Sequence, residues 1–326
     1  MTLSLNYIDT LKKGKNLLAF SAGIDSVALF FLLLENNIKF DIAIVNYGIR
    51  KESIQEEEYA KYLAKKYNLK VYIAHSIKFE NNFEKNARDF RYKFFEDIIE
   101  KEKYDNLLTA HQLNDQLEWL LMRLSKGAGV VELLGLKGIS KKQDYTLIRP
   151  ILEHSKDELL DYLKEKKYKY FIDSSNSDEK YERNYFRKHF SNKLIEKYKK
   201  GIKKSFEYLN RDKKLLIEGY REIYNHNELY IIKLENQSAK TRVIDIYLKK
   251  LGYLLSASQR AELQKEKSIV FGGKWAVEIV KDIIFIAPYL KVTMPKKHKE
   301  KYRIHKIPPK VRGYYYKYNI NFLLKD

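Results

Sequence analysis

Four short apolar runs, each followed by a segment of helical length, constrain this chain's architecture more than any other feature. Asn16 to Phe20, Phe40 to Asn46, Lys70 to His75 and Asn106 to Ala110 have the length and apolar content of buried strands. Ser26 to Glu35, Glu52 to Tyr67 and Phe83 to Lys103 read as helices, with another from about Asn114 to Ser125. Such alternation predicts an α/β domain on a doubly wound parallel sheet. Ligands of these sheets bind at the carboxyl ends of the strands. That rule lines up Ser21, Asn46-Tyr47-Gly48, His75 and His111 along one edge.

The turn after the first run is Ser21-Ala22-Gly23-Ile24-Asp25-Ser26. Small residues between a strand and a helix let backbone N–H groups approach an anion, and the helix start adds the positive end of its dipole. Ser21 and Ser26 supply hydroxyl donors. The turn has no lysine, so it is not the Walker-type loop, which needs Gly-Lys-Ser/Thr. Its one charge, Asp25, suggests Mg²⁺ coordination or an N-cap. A serine-rich helix cap with no ligand is the bland alternative.

The chain has 326 residues, room for two or three domains. It has no cysteine, which excludes disulfides, thiolate metal sites and cysteine nucleophiles. No run of 18 apolar residues marks a membrane span. No signal-peptide pattern opens the sequence, so a cytoplasmic location is expected. The net charge of +20 is unevenly spread. Residues 1–195 hold 33 Lys+Arg against 29 Asp+Glu, whereas residues 196–326 hold 30 against 14. A localised excess is the electrostatic footprint expected for nucleic acid, whereas a compositional bias would be even.

A second polar cluster lies at the predicted ligand edge, in Thr109-Ala110-His111-Gln112-Leu113-Asn114-Asp115-Gln116-Leu117-Glu118. Asp115 and Glu118 are three apart and share a helical face near its start. Two acids there can bind an amine, coordinate a metal or act as a base, or they can merely cap the helix.

These segments together resemble a known family. The Ser21–Ser26 turn resembles the Ser-Gly-Gly-x-Asp-Ser pyrophosphate loop (PP-loop) of ATP pyrophosphatases, with Ala22 in place of the first glycine. The Thr109–Glu118 segment, continued by Leu120 to Gly129, resembles the Thr-Ala-His-His-x-Asp-Asp-Gln-x-Glu block of tRNA(Ile)-lysidine synthetases. Val45-Asn46-Tyr47-Gly48-Ile49-Arg50, Ala87-Arg88-Asp89-Phe90-Arg91-Tyr92 and Ile148-Arg149-Pro150-Ile151-Leu152 resemble further blocks of that family. So does Asp173-Ser174-Ser175-Asn176, followed by Arg183-Asn184 and Arg187. Tyr47, Gln112, Asn114 and Trp119 depart from the family's residues. The resemblance implies the adenine nucleotide alpha hydrolase-like fold and ATP-dependent ligation of free L-lysine to C2 of a cytidine, giving lysidine. The substrate would be the CAU anticodon of an isoleucine tRNA. The C2 oxygen is a poor leaving group, so it is first adenylated with release of pyrophosphate; the lysine amine then attacks C2 and AMP departs. By the same resemblance Ser21, Ala22, Gly23, Ile24, Asp25 and Ser26 hold ATP, with Mg²⁺ offsetting phosphate charge. Asp115 and Glu118 hold the lysine amine, and Arg88, or Arg91 in its place, stabilises developing negative charge. The rivals are another PP-loop tRNA-modifying or amidating adenylation enzyme, and a non-enzymatic tRNA-binding module.

A boundary is expected near residue 195. Residues 196–326 are then a basic tRNA-binding region, helical over about 196–266 and β-containing over about 267–326. Lys199 to Tyr224 reads as a long basic helix, Thr241 to Leu251 and Ser256 to Gln264 as two shorter ones. Three strands follow at Ser268 to Phe271, Lys274 to Val280 and Ile283 to Ala287. Tyr314-Tyr315-Tyr316 and Tyr318 either stack on unpaired bases or fill a small core.

Overall fold

The computed structural model describes residues 3–48, 52–77, 79, 83–172, 182–217 and 219–323. Ile49, Arg50 and Asp173 to Asn176, quoted for the resemblance, lie outside them. The chain divides into two compact units, Met1–Leu209 and Asn210–Asp326.

The first unit runs α1 (Ile8–Lys13), β1 (Asn16–Ala19), α2 (Ile24–Glu35), β2 (Phe40–Asn46), α3 (Glu52–Tyr67), β3 (Val71–His75), α4 (Phe83–Glu102) and β4 (Asn106–Leu108). It continues with α5 (Leu113–Leu124), α6 (Val130–Leu133), β5 (Ile139–Lys141), β6 (Thr146–Ile148), α7 (Lys156–Glu165) and α8 (Glu182–Phe186). A π-helical turn, Arg187–Ser191, then leads into α9 (Asn192–Ile217). The sheet order is β3-β2-β1-β4-β6-β5, parallel except for β5. This is the doubly wound sheet expected from the sequence. The two extra strands are three residues each, too short to show a period.

Successive residues of a strand face opposite sides, and both sides of this sheet are covered. Leu18, Ile42, Leu108 and Ile148 pack with α2, α3 and α7, whereas Leu17, Ala43, Leu107 and Leu147 pack against Phe95, Ile98 and Ile99 of α4. Burial on both faces explains why the strands read as continuous apolar runs. Because β1, β2, β3 and β4 are parallel, the turns after Ala19, Asn46, His75 and Leu108 open on one edge.

The second unit is a five-stranded antiparallel sheet, ordered β7-β8-β11-β10-β9. Its elements are β7 (Tyr220–His226), β8 (Leu229–Leu234), α10 (Lys240–Lys250), α11 (Ala257–Lys265), β9 (Ser268–Phe271), β10 (Trp275–Val280), β11 (Ile283–Pro288), α12 (Lys296–Ile304) and α13 (Arg312–Lys317). The three expected strands form, but the stretch expected to be helical also holds the β7–β8 hairpin. The long helix therefore ends at Ile217 rather than running to Tyr224. Gly219 follows it, and Tyr220, Ile223 and Tyr224 favour strand. Asn227, at a φ of 52°, makes the tight hairpin turn. One sheet face packs on Val243, Ile244, Tyr247 and Leu248 of α10. The other packs on Tyr302 of α12 and on Tyr314 and Tyr315, which are 1% and 0% exposed. Of the two readings of that tyrosine run, the core reading holds for Tyr314 and Tyr315; Tyr318 is 42% exposed.

Candidate active site

The turn between β1 and α2 begins the site. Gly23 is the N-cap of α2, and among the described residues no side chain caps the helix. Its first N–H groups thus lack a side-chain acceptor, as an anion-binding helix start requires. Ser26 ties the turn together. Its Oγ donates to the Gly23 carbonyl at 3.0 Å, accepts from the Ser21 N–H at 3.2 Å, and lies 3.2 Å from Ser21 Oγ. Ala22 sits at a φ of 57°. The left-handed conformation falls on the one position where alanine stands for glycine, and costs roughly 1–2 kcal/mol there. Its carbonyl accepts from Phe171 N–H at 2.9 Å, and Gly23 bridges Phe171.

Asp25 faces inward from the first turn of α2. Its Oδ1 is buried without a hydrogen-bond partner. Burial, and then the charge of Asp115, push its carboxyl up to about 7. A buried carboxylate oxygen with no donor on it suits a cation. Mg²⁺ characteristically takes one or two carboxylates together with substrate phosphates and water, so the residue fits that ion. Among the described residues, no group of three or more His, Asp or Glu forms a metal cage.

Across from the turn, α5 starts with a capping box. Gln112 Oε1 accepts from Asn114 N–H at 2.6 Å, and Asp115 Oδ2 accepts from Gln112 N–H at 2.9 Å. Asp115 is therefore a cap, as the bland reading supposed, but only one of its oxygens is used that way. Oδ1 receives the Arg183 guanidinium, and Arg187 lies 3.8 Å away. Glu118, fully buried, accepts from Arg183 Nε at 2.9 Å and from Arg187 Nε at 2.7 Å and Nη2 at 3.0 Å. Two acids and two arginines thus form a charge-balanced quartet. Burial opposes ionisation of Asp115, but Arg183, with help from its other neighbours, holds the carboxyl below its ordinary range. Arg183 is itself held more firmly protonated by both acids, against its burial.

The quartet was only half visible in the sequence. Arg183 and Arg187 stood in a motif with no role attached, yet they are the partners of both candidate acids. Their four-residue spacing, which places both on one helical face, was the available signal. Asn114 joins three segments: Nδ2 donates to Asn192 Oδ1 at 2.9 Å, and Oδ1 accepts from Lys156 N–H at 3.2 Å.

His111 lies beside the quartet. Arg149 Nε donates to its Nδ1 at 3.3 Å, and Thr109 Oγ1 is 3.0 Å from the same nitrogen. A guanidinium can only donate, so Nδ1 accepts and the neutral ring carries its proton on Nε2. Burial, only partly offset by Asp115, pushes this imidazole down to about 3, so it is neutral at neutral pH.

Arg88 stands apart from the acids. It is exposed on α4, its guanidinium 4.8 Å above the Tyr92 ring, and its charge is felt by His111 and Arg149. Tyr47 donates to the Ala87 carbonyl at 3.1 Å and hydrogen-bonds Arg91, so this departure from the family pattern braces α4. His75 belongs to another cluster at the sheet edge. Its Nε2 is 2.9 Å from Glu57 Oε2, which also accepts from Asn46 Nδ2 at 2.9 Å.

The PP-loop domain family ATP_bind_3 matches residues 3–194. A tRNA(Ile)-lysidine synthase of Campylobacter jejuni strain RM1221 is 48% identical over 314 residues, 95% of each chain. One of Wolinella succinogenes is 42% identical over 323 residues, 99% of each chain. One of Helicobacter pylori strain 26695 is 41% identical over 313 residues, 95% of this chain and 92% of that one. Among solved structures, the U34-tRNA thiolase NcsA of Methanococcus maripaludis with its [4Fe-4S] cluster superposes with a TM-score of 0.50 at 22% identity. The match covers 62% of this chain and 73% of that one, and shows a shared fold.

Proposed function

We propose that this chain, which belongs to the tRNA(Ile)-lysidine synthases and carries their PP-loop ATP-binding domain, joins lysine to a tRNA cytidine using ATP. The observation that carries the residue assignments is the pairing of an uncapped helix start with a charge-balanced acid–arginine quartet. The N–H groups at the start of α2, with Ser21 and Ser26, bind the ATP phosphates. Asp25 holds a Mg²⁺ ion, which supplies charge neutralisation at those phosphates. The C2 oxygen of a cytidine in a CAU anticodon attacks the α-phosphorus and pyrophosphate leaves, giving an adenylated tRNA. Free L-lysine then attacks C2, the C–N bond forms and AMP departs with the C2 oxygen.

Asp115 and Glu118 receive the lysine amine. Arg183 bridges both acids, and its side chain is 36% exposed against 18% for Arg187. Arg183 is therefore the partner with which an incoming ammonium exchanges. Glu118, with both oxygens engaged, anchors Arg187 and the π-helical turn, a local form common at functional sites. Arg88, exposed on α4 with its charge felt by His111 and Arg149, meets phosphate or tRNA charge, with Arg91 as its alternate. The basic second unit supplies tRNA contacts, and a cytoplasmic location follows from the substrates. Transfer of sulfur through the chain's own thiols is excluded, since it has no cysteine.

Separating the half-reactions tests this reading. Asp115→Asn is expected to raise the lysine concentration needed for half-maximal product while leaving tRNA adenylation much less affected. Unchanged lysine dependence would return Asp115 to helix capping alone.

A further inference from the structure

A groove of about 690 Å³ lies outside the site described above, between α3 and the segment 167–169. Its floor is aromatic. Phe31 and Tyr168 stack face to face, ring centroids 3.5 Å apart and 4° from parallel, and Tyr59 is buried beside them. Its rim is basic. Lys66 Nζ lies 5.8 Å from the Tyr62 ring, and Lys169 Nζ lies 5.6 Å from the Tyr59 ring. Glu58, an acid of the lining, is engaged by Lys61 at 2.9 Å. Tyr62 is 55% exposed, with its ring stacked toward Tyr59 at a centroid distance of 6.3 Å.

The groove is tied to the phosphate loop. Tyr59 donates its hydroxyl hydrogen to the Lys169 carbonyl at 2.7 Å, fixing the lysine-bearing segment to α3. Two residues on, Phe171 pairs with Ala22 and Gly23. A ligand along α3 thus lies against the same strip of backbone that braces the ATP loop.

An exposed aromatic ring with ammonium groups at separate points matches an unpaired base and its spaced phosphates. A free nucleotide calls for donors converging on one anion, as at the start of α2. Here the lysines stand over different rings. We propose that this groove holds an unpaired stretch of the tRNA substrate, with a base on Tyr62 and phosphates at Lys66 and Lys169. The inference rests on tRNA being the substrate.

The test is equilibrium binding of tRNA to the full chain over a range of salt concentrations. All three side chains are exposed, so their variants fold. Tyr62→Ala is expected to weaken binding roughly tenfold, whereas Tyr62→Phe, which keeps the ring, binds like the wild type. Lys66→Ala and Lys169→Ala are each expected to reduce the salt slope by about 0.7. Wild-type affinity and slope in the combined variant would overturn the proposal. So would a Tyr62→Ala protein that loses ATP affinity but not tRNA affinity, which makes the groove a free-nucleotide site. A wild-type protein that adds no lysine to tRNA, yet whose tRNA affinity depends on Tyr62, would sink the reaction and leave the groove standing.

Discussion

The phosphate loop and the start of α5 both bury carboxylates, and they treat them in opposite ways. Asp115 and Glu118 have every oxygen engaged, by two arginines and one backbone N–H. Asp25 has a buried oxygen with no hydrogen-bond partner among the described residues. A compensated acid pair is part of the fold's own stability, and its ligand must exchange with an existing partner. An uncompensated acid costs stability until a cation arrives. Under the proposed function, the contrast divides the site into a side that would receive metal and phosphates and a side that would swap one cation for another.

The largest expected effect falls on the compensated side. Glu118→Gln removes a fully buried acid and leaves two half-buried guanidiniums with one carboxylate, and is expected to cost about 3–5 kcal/mol in chemical denaturation. A loss below about 1 kcal/mol would mean the quartet is not holding the turn from Arg187 to Ser191. The uncompensated side should behave in reverse. Asp25 is lifted from its ordinary 3.8 to about 7 in the folded chain. The folded state therefore binds this proton more tightly than the unfolded one. Its stabilising contribution is full below pH 4 and is lost as pH rises through 7. Asp25→Asn removes that slope and at pH 8 gains up to about 4 kcal/mol over the ligand-free wild type. Adenylation by this variant falls by roughly 10²-fold or more. A variant that melts lower than the wild type at pH 8 would show that Asp25 has a partner after all.

Smaller effects sharpen the exchange. Arg183→Lys replaces a bridging fork by a point charge, and should lower the lysine concentration for half-maximal rate several-fold. An increase instead would make Arg183 part of the lysine site rather than its competitor. Smallest is Ala22→Gly. Relief of the left-handed alanine is offset by glycine's greater unfolded freedom and by a lost buried methyl group, so stability should move by no more than about 1 kcal/mol. A larger loss, read from the melting temperature, would mean the Ala22 methyl carries real packing.

What the sequence made legible follows the range of the interactions. Strands buried on both faces write themselves as apolar runs, so β1 to β4 were readable within a residue or two. The phosphate loop and the acid pair are local motifs, and both appear where the strand order predicts. The start of β7, up to Tyr224, reads as the end of a helix because a basic, amphipathic stretch runs into Tyr220 with only Gly219 to mark the break, and β8 carries no signal that separates it from the helical region around it. The arginine partners of Asp115 and Glu118 come from 65 and more residues away, a separation at which no periodicity operates. Ala22 was visible as a departure from glycine, but only the backbone shows a φ of 57° at that position. The tyrosines of α13 could not be divided between core and surface until the sheet beneath them was known.

The most direct measurement is incorporation of labelled lysine into isoleucine tRNA with a CAU anticodon, with and without ATP. The account predicts lysine covalently attached to the tRNA only when ATP is present, one pyrophosphate and one AMP released per lysine, and loss of both products in Asp25→Asn. ATP-dependent adenylation of that tRNA with no lysine transferred, or lysine transfer that persists in Asp25→Asn, would contradict it.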